Sequence, residues 1–370
     1  MIPDGWKISK IGDVADIKVG RDLDETAYSK AKSGDYKFPV YSNTVEEHDA
    51  YGYYNFPEYP KGSLTIVGRG IGLGTAFARN TDFGAIGRLL VLLPQNKSFD
   101  AHYLASFINN RLQIHYESSG IPQLPGKTLA NYQVILPPFP EQRRIAEILS
   151  TWDKAIEATE KLIANSEAQK KALMQQLLTG KKRLPGFDEN PQTVSLTTIA
   201  KVSTGNSNKQ DSLEKGKYLF FDRSTEIRKS NQYLFDAEAI IVGGEGQEFI
   251  PKYYEGKFDL HQRAYCVHDF EEMYGKYIYY SMHYNRKFLR RFAVGSTVPS
   301  LRMDCFEKVP IRLIAPAEQR VIGNLIWSRD VEIAKLKIKL EHLKSEKKAL
   351  MQQLLTGKRR VKIEEEDKNA

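Results

Sequence analysis

The longest regular pattern in the chain is a spacing of alternating fours and threes. Between Glu141 and Thr179 it runs through 145, 149, 152, 156, 159, 163, 166, 170, 173 and 177, and seven of those ten positions are apolar. The same frame, shifted by 177, runs through Ile322, Ile326, Ile333, Leu336, Leu340, Leu343, Leu350 and Leu354, eight of ten being apolar. Heptad spacing held this long predicts coiled-coil helices. Pro140 before Glu141 supplies a start. Gly180 and Gly357, each followed by three cations, supply the stops, because glycine suits a left-handed C-terminal position and cations suit the negative helix end. About 39 residues at roughly 1.5 Å each give rods of roughly 58 Å. A helix that long with one apolar stripe needs a partner. The reading is that the two helices pair antiparallel; the alternative is that each packs on its own domain.

Elsewhere the apolar runs are short and read as strands: Asp16–Val19, Phe38–Tyr41, Leu64–Val67 and Leu89–Leu93, then Lys217–Phe221, Ala239–Val242 and Ala264–Val267. One helix is expected at Ala101–Gln113 and another around Tyr274–Phe292. This predicts two small mixed α+β domains, 1–140 and 193–317, with helices at 141–180 and 318–357, a linker at 181–192 and a charged tail at 358–370 that frays from Val361 onward.

The chain is also a tandem duplication. KKALMQQLLTGK occurs at Lys170–Lys181 and again at Lys347–Lys358. The offset of 177 also aligns Glu141-Gln142-Arg143 with Glu318-Gln319-Arg320, and Pro122-Gln123-Leu124 with Pro299-Ser300-Leu301. Upstream the offset drifts, pairing Val67-Gly68 with Val242-Gly243, Arg88 with Arg263, and Gly20 with Gly205. Each unit therefore joins a variable globular part to a nearly constant tail.

Composition narrows the partners. The 370 residues carry 54 Lys and Arg against 46 Asp and Glu, a net charge of +8, and are 41% hydrophobic. That excludes wholesale disorder and favours an anionic partner, nucleic acid above membrane. The excess is not on the globular parts: residues 1–140 are net zero and 184–317 net +1, while 141–183 carry +3 and 318–370 carry +4. No run approaches a membrane-spanning length, and the first ten residues show no secretory h-region. Cys266 and Cys305 have no paired metal spacing and read as inert thiols suited to a reducing cytoplasm.

Three strings imitate enzyme motifs. Gly68-Arg69-Gly70-Ile71-Gly72-Leu73-Gly74 resembles a cofactor loop, but Thr75–Phe77 reads as a strand where a helix should open, so a tight turn is expected. Gly126-Lys127-Thr128 ends like a phosphate loop, yet Ile121 stands where its first glycine is required. Leu136-Pro137-Pro138-Phe139 lacks the polar first residue through which an adenine methyltransferase accepts from its target amino group, so a helix-entry role is expected. His261, Cys266 and His268 fall short of a metal set. No catalytic constellation and no cofactor are expected.

Loop residues are better matched to nucleic acid. Asn43, Arg69, Arg223, Gln247 and Arg263 are the expected base-contacting residues, since Arg, Asn and Gln pair bidentately with guanine or adenine edges. Arg286-Lys287 and Arg290-Arg291 lie at helical spacing suited to phosphates.

The layout resembles the specificity subunits of type I restriction–modification systems. The resemblance rests on Trp6, Ile11-Gly12-Asp13, Gly20, Leu136-Pro137-Pro138, Glu141-Gln142-Arg143-Arg144-Ile145-Ala146 and the doubled Lys-Lys-Ala-Leu-Met-Gln-Gln-Leu-Leu-Thr-Gly string. Ala317 in place of Pro140 and Val321 in place of Arg144 depart from the pattern at the second helix entry. The resemblance implies two target recognition domains, each reading one half of a split site in double-stranded DNA. It implies helices that separate them, fix the gap and dock two methyltransferase subunits, with ATP-dependent restriction subunits as further partners. The chain itself would be non-catalytic. The competing readings are a stand-alone or fused adenine methyltransferase, against which Leu136 argues, and a coiled-coil adaptor that binds no DNA.

Overall fold

A computed structural model describes residues 2–114, 121–188 and 190–363. The acidic stretch Glu364–Asp367 expected to fray lies outside them. The fold is α+β, and the chain forms two compact units: Met1–Ala158 with Leu340–Ala370, and Thr159–Lys339. Each unit takes in part of both long helices.

Unit 1 begins with β1 (Lys7–Lys10), a single helical turn α1 (Ile11–Val14) and β2 (Ala15–Val19). Seven short strands follow: β3 (Tyr28–Ser29), β4 (Phe38–Tyr41), β5 (Gly52–Tyr54), β6 (Leu64–Ile66), β7 (Ala76–Ala78), β8 (Gly84–Ala85) and β9 (Leu90–Pro94). Then come α2 (Ala101–Arg111), α3 (Gly126–Ala130), β10 (Gln133–Leu136) and the long helix α4 (Phe139–Leu173). The strands form sheets ordered β2-β9-β6-β7 and β3-β5-β4-β8, while β1 pairs with β10. Unit 2 repeats the plan with β11 (Gln192–Ser195), α5 (Leu196–Ile199), β12 (Lys201–Thr204), β13 (Tyr218–Phe221), β14 (Arg228–Ser230), β15 (Phe235–Gly243), β16 (Lys252–Leu260) and β17 (Ala264–His268). It ends with α6 (Gly275–Phe292), α7 (Met303–Glu307), β18 (Pro310–Leu313) and the second long helix α8 (Pro316–Leu354). Here one six-stranded sheet, β12-β17-β15-β16-β13-β14, replaces the two four-stranded ones. Its strands β15 and β16 are nine residues each, long enough to hold the sheet in one piece.

The heptad frame is recovered in full. All ten positions in each copy are buried or half-buried, including the polar Thr159, Ser166, Lys170, Arg329 and Lys347. The pairing is antiparallel in each unit: Lys347 meets Asp153 in unit 1, and Lys170 meets Asp330 in unit 2. These two ion pairs are one pair seen twice, 177 residues apart on both partners. The alternative packing is also realised. Ile145, Ala146 and Leu149 enter the core of unit 1 beside Leu354 and Leu355, and Ile322 and Ile326 enter that of unit 2 beside Met174, Leu177 and Leu178. Each helix therefore pairs with the other and packs on a globular part.

The repeated Glu-Gln explains itself at the helix starts. Gln142 accepts the Asp100 N–H at the start of α2 (2.9 Å) and donates to the Pro137 carbonyl (2.9 Å). Gln319 accepts the Tyr274 N–H at the start of α6 (2.8 Å) and donates to the Ile314 carbonyl (2.8 Å). Glu141 takes a two-pronged hydrogen bond from Arg360 (2.7 and 2.8 Å), and Glu318 takes the same from Arg183 (3.0 and 2.9 Å). Trp6 Nε1 also donates to Glu141 (3.1 Å). At the other ends, Gly180 and Gly357 have φ of 73° and 71°. The N–H groups of Lys182 and Arg359 reach back to the carbonyls of Gln176 and Gln353, closing both helices with the same glycine-dependent cap.

Candidate nucleic-acid interface

In unit 1 three loops converge: the one after β4, the glycine run between β6 and β7, and the turn between β8 and β9. The glycine run is a tight turn, with a strand and not a helix after it. It joins two antiparallel strands, with φ of 84°, 79° and 87° at Gly70, Gly72 and Gly74. Gly68 must be glycine for a second reason, because a Cβ there would stand 2.6 Å from the Arg88 carbonyl. Asn43 ties the three loops together. Its side-chain oxygen accepts the N–H groups of Gly68 (2.8 Å) and Arg69 (3.2 Å), and its amide donates to the Gly87 carbonyl. The sequence reading presents this amide to a base; the geometry instead commits both ends of it to the backbone. Arg69 is half-buried and lies in an isolated antiparallel bridge with Gln123, while Arg88, at φ 67°, stands exposed on the third loop.

Unit 2 has the same frame with other side chains. Leu301 N–H bonds the Gly244 carbonyl as Leu124 N–H bonds that of Gly68, and Gly246 N–H bonds Pro299 as Gly70 N–H bonds Pro122. This fixes the equivalences Gly68 with Gly244, Arg69 with Glu245, and Ile71 with Gln247. The offset here is 176, so the sequence alignment of Gly68 with Gly243 is one residue out. By strand position Asn43 corresponds to Arg223, and Arg88 to Arg263. Arg223 and Arg263, both exposed, converge on the two oxygens of the more buried Glu245. Burial alone would raise the Glu245 carboxyl, but the hydrogen bonds from Arg263 and Arg223 outweigh it and hold it below the ordinary glutamate value. Gln247 is exposed beside Glu248, which meets Arg286 (3.4 Å) and Arg290 (3.7 Å) of α6. Those arginines and Lys170 line a groove of about 830 Å³.

The structure therefore brings Asn43 and Arg69 together in one unit, and Arg223 and Arg263 in the other. Sequence reasoning missed Glu245, whose acidic side chain hid it, and Arg88. Arg88 had a signal, because the repeat already aligned it with Arg263. The metal reading is not supported by the geometry: His261 Nδ1 accepts the Arg263 N–H (2.9 Å), His268 engages Ser203 and Asp269, and Cys266 is buried. Among the described residues no cluster of His, Cys, Asp or Glu could hold a metal ion, and no helix is long and apolar enough to cross a membrane. What the loops offer is exposed guanidinium groups, from Arg88 in unit 1 and from Arg223 and Arg263 in unit 2, with the exposed Gln247 amide beside the latter pair.

The family model for the type I restriction modification DNA specificity domain matches residues 3–167 and again 188–344. The chain belongs to this family. Among specificity-subunit relatives, the chain is 28% identical over 165 residues to that of the type I restriction enzyme EcoDI of Escherichia coli. That match covers 45% of this chain and 37% of the relative, so it spans little more than a third of the relative's length. To that of the type I restriction enzyme MjaVIII of Methanocaldococcus jannaschii it is 25% identical over 319 residues, 75% of each chain. In fold it is similar to a type I restriction–modification S subunit from M. genitalium, with a TM-score of 0.74 at 16% identity over 95% of this chain and 96% of that one. A second likeness, with a TM-score of 0.53 at 16% identity over 96% and 99%, is to a chain from a structural study of assembly and conformational transition in the type I R-M system. For a specificity-family chain, the two matched segments are the two halves of the repeat, each carrying one set of three converging loops.

Proposed function

We propose that the chain is the non-catalytic DNA sequence-recognition subunit of a type I restriction–modification complex, each globular part reading one half of a bipartite site in double-stranded DNA. One observation carries this: two copies of the same three-loop frame hold different side chains, on helix ends that are alike to the atom-pair level. A shared frame with divergent tips suits one task applied to two sequences. Arg69 and Arg88 in the first copy, and Arg223, Gln247 and Arg263 in the second, are the assigned base contacts. Asn43 is assigned the task of holding its loops. Glu245 fixes the paired guanidiniums, since a fork that is already oriented loses less freedom on meeting guanine.

The paired helices are assigned two tasks, setting the gap between half-sites and docking two methyltransferase subunits; methylation and cleavage then belong to those partners and to ATP-dependent restriction subunits. The near-identity of the two tails supports this, because identical partners require identical surfaces. Selection from a random duplex library by the full chain, alone and with a partner methyltransferase, tests the reading. A bipartite sequence with a fixed gap is expected. Shortening α4 and α8 together by one heptad, about seven residues, is expected to change the gap and leave both half-sites intact. An unaltered gap would refute the spacer role, and no enriched sequence would refute the recognition role. Affinity is also expected to fall steeply with salt, as phosphate neutralisation requires.

A further inference from the structure

Ile71 is 92% exposed, the most exposed of the large hydrophobic residues described. A lone exposed isoleucine is ordinary, but this one is built into place. It sits between Gly70 and Gly72, both left-handed, in a turn closed by hydrogen bonds from Gly70 N–H to Pro122 (3.0 Å), Leu73 N–H to Gly70 (3.3 Å) and Thr75 N–H to Gly72 (2.9 Å). Val45 packs against the turn, its Cγ1 only 2.1 Å from where a Gly72 Cβ would stand. Val45 is itself 47% exposed, and Ile121, next to Pro122, is 60% exposed. The tip of the unit 1 frame is thus an aliphatic knob beside Arg69. In unit 2 the corresponding position is Gln247, whereas Ile121 keeps an aliphatic counterpart in Val298, 55% exposed.

We propose that Ile71 is a specificity-determining residue that reads the 5-methyl group of a thymine in the half-site bound by unit 1. This rests on the DNA-recognition reading above and deepens it. An isoleucine has no donor or acceptor, so it gains nothing from a phosphate or from the polar base edges. The thymine methyl is the one apolar feature that a base pair shows in the major groove. Gln247, with one donor and one acceptor group, suits the N6 and N7 of adenine at the matching place in the other half-site. The two copies then read the same kind of pair, A·T, by opposite chemistry.

The test starts from the sequence selected by the full chain. One half-site is expected to contain a thymine whose replacement by deoxyuridine weakens binding about fourfold, the worth of one buried methyl-sized group. Ile71→Ser removes the difference between thymine and uracil, Ile71→Val retains it, and Gln247→Ala leaves it intact while relaxing the other half-site. Because Ile71 is so exposed, none of its variants threatens folding. The proposal is overturned if that half-site holds no A·T pair, if deoxyuridine binds as well as thymine, or if Ile71→Ser still discriminates. If no sequence is enriched at all, the recognition reading falls together with this one, so the two failures are distinct.

Discussion

The two loop frames solve one problem with opposite chemistry. In unit 1 a neutral amide, Asn43, ties three loops through their backbones and leaves the tip apolar. In unit 2 a carboxylate, Glu245, ties the corresponding loops through two guanidiniums and leaves the tip polar. The tie itself has moved from the first loop to the second. What persists is the backbone: the Gly–Pro and Gly–Leu hydrogen bonds recur at matching places although the side chains around them share little. Sequence variation is therefore free at the tips because the frame does not depend on them.

The largest effects that sharpen this comparison are expected where the units are alike. Arg183→Ala strands the Glu318 carboxylate, which is 1% exposed, and is expected to cost about 3 kcal/mol in urea unfolding. Arg360→Ala removes the matching bond in unit 1 but leaves Trp6 donating to Glu141, so about 2 kcal/mol is expected; equal losses would show that Trp6 contributes nothing. In DNA binding, Arg263→Ala and Arg88→Ala should each cost about tenfold or more, in opposite half-sites. If both weaken the same half-site, the equivalence of the frames is broken. Smaller, and matched, are the losses for Gln142→Ala and Gln319→Ala, about 1–2 kcal/mol each, because both leave a helix-start N–H without its acceptor. The smallest effect concerns pH. Glu245 is held below its unfolded value, so its contribution is present above about 4.5, the ordinary value, and is lost as pH falls through the lowered one. The stability gap between wild type and Glu245→Gln should narrow on acidification. The gap between wild type and Asn43→Ala should not, because the tie in unit 1 carries no titrating group.

Much of this was legible because it repeats. The heptad stripe predicted every buried position of its frame, and Gly180 and Gly357 marked the caps. Of the short strands, β2, β4, β6, β9, β13 and β17 were readable from their apolar and aromatic runs, whereas β1, β3, β5, β10, β12 and β14 were not. The nine-residue β16 was not: its KYYEGKFDL mixes charge, glycine and aromatics and shows no clean alternation. The tie residues were also hidden. Nothing local to Asn43 says that its amide faces its own chain, and Glu245 is visible only once two distant arginines are seen to meet. Even identity of sequence has limits. Met174–Leu178 widens into a π turn, whereas the matching Met351–Leu354 stays α-helical to the end of α8, so the packed surroundings decide.

The core of unit 1 contains Trp6 and Leu355, almost the whole sequence apart, whereas that of unit 2 is drawn from Met174 to Ile326. On a ribosome adding roughly 5–20 residues per second, the first unit to be started waits about 20–70 s for the leucines that complete it. The second closes while the chain is still growing. Order of synthesis and order of completion are thus reversed, and the earliest strands spend that interval with part of their apolar face uncovered.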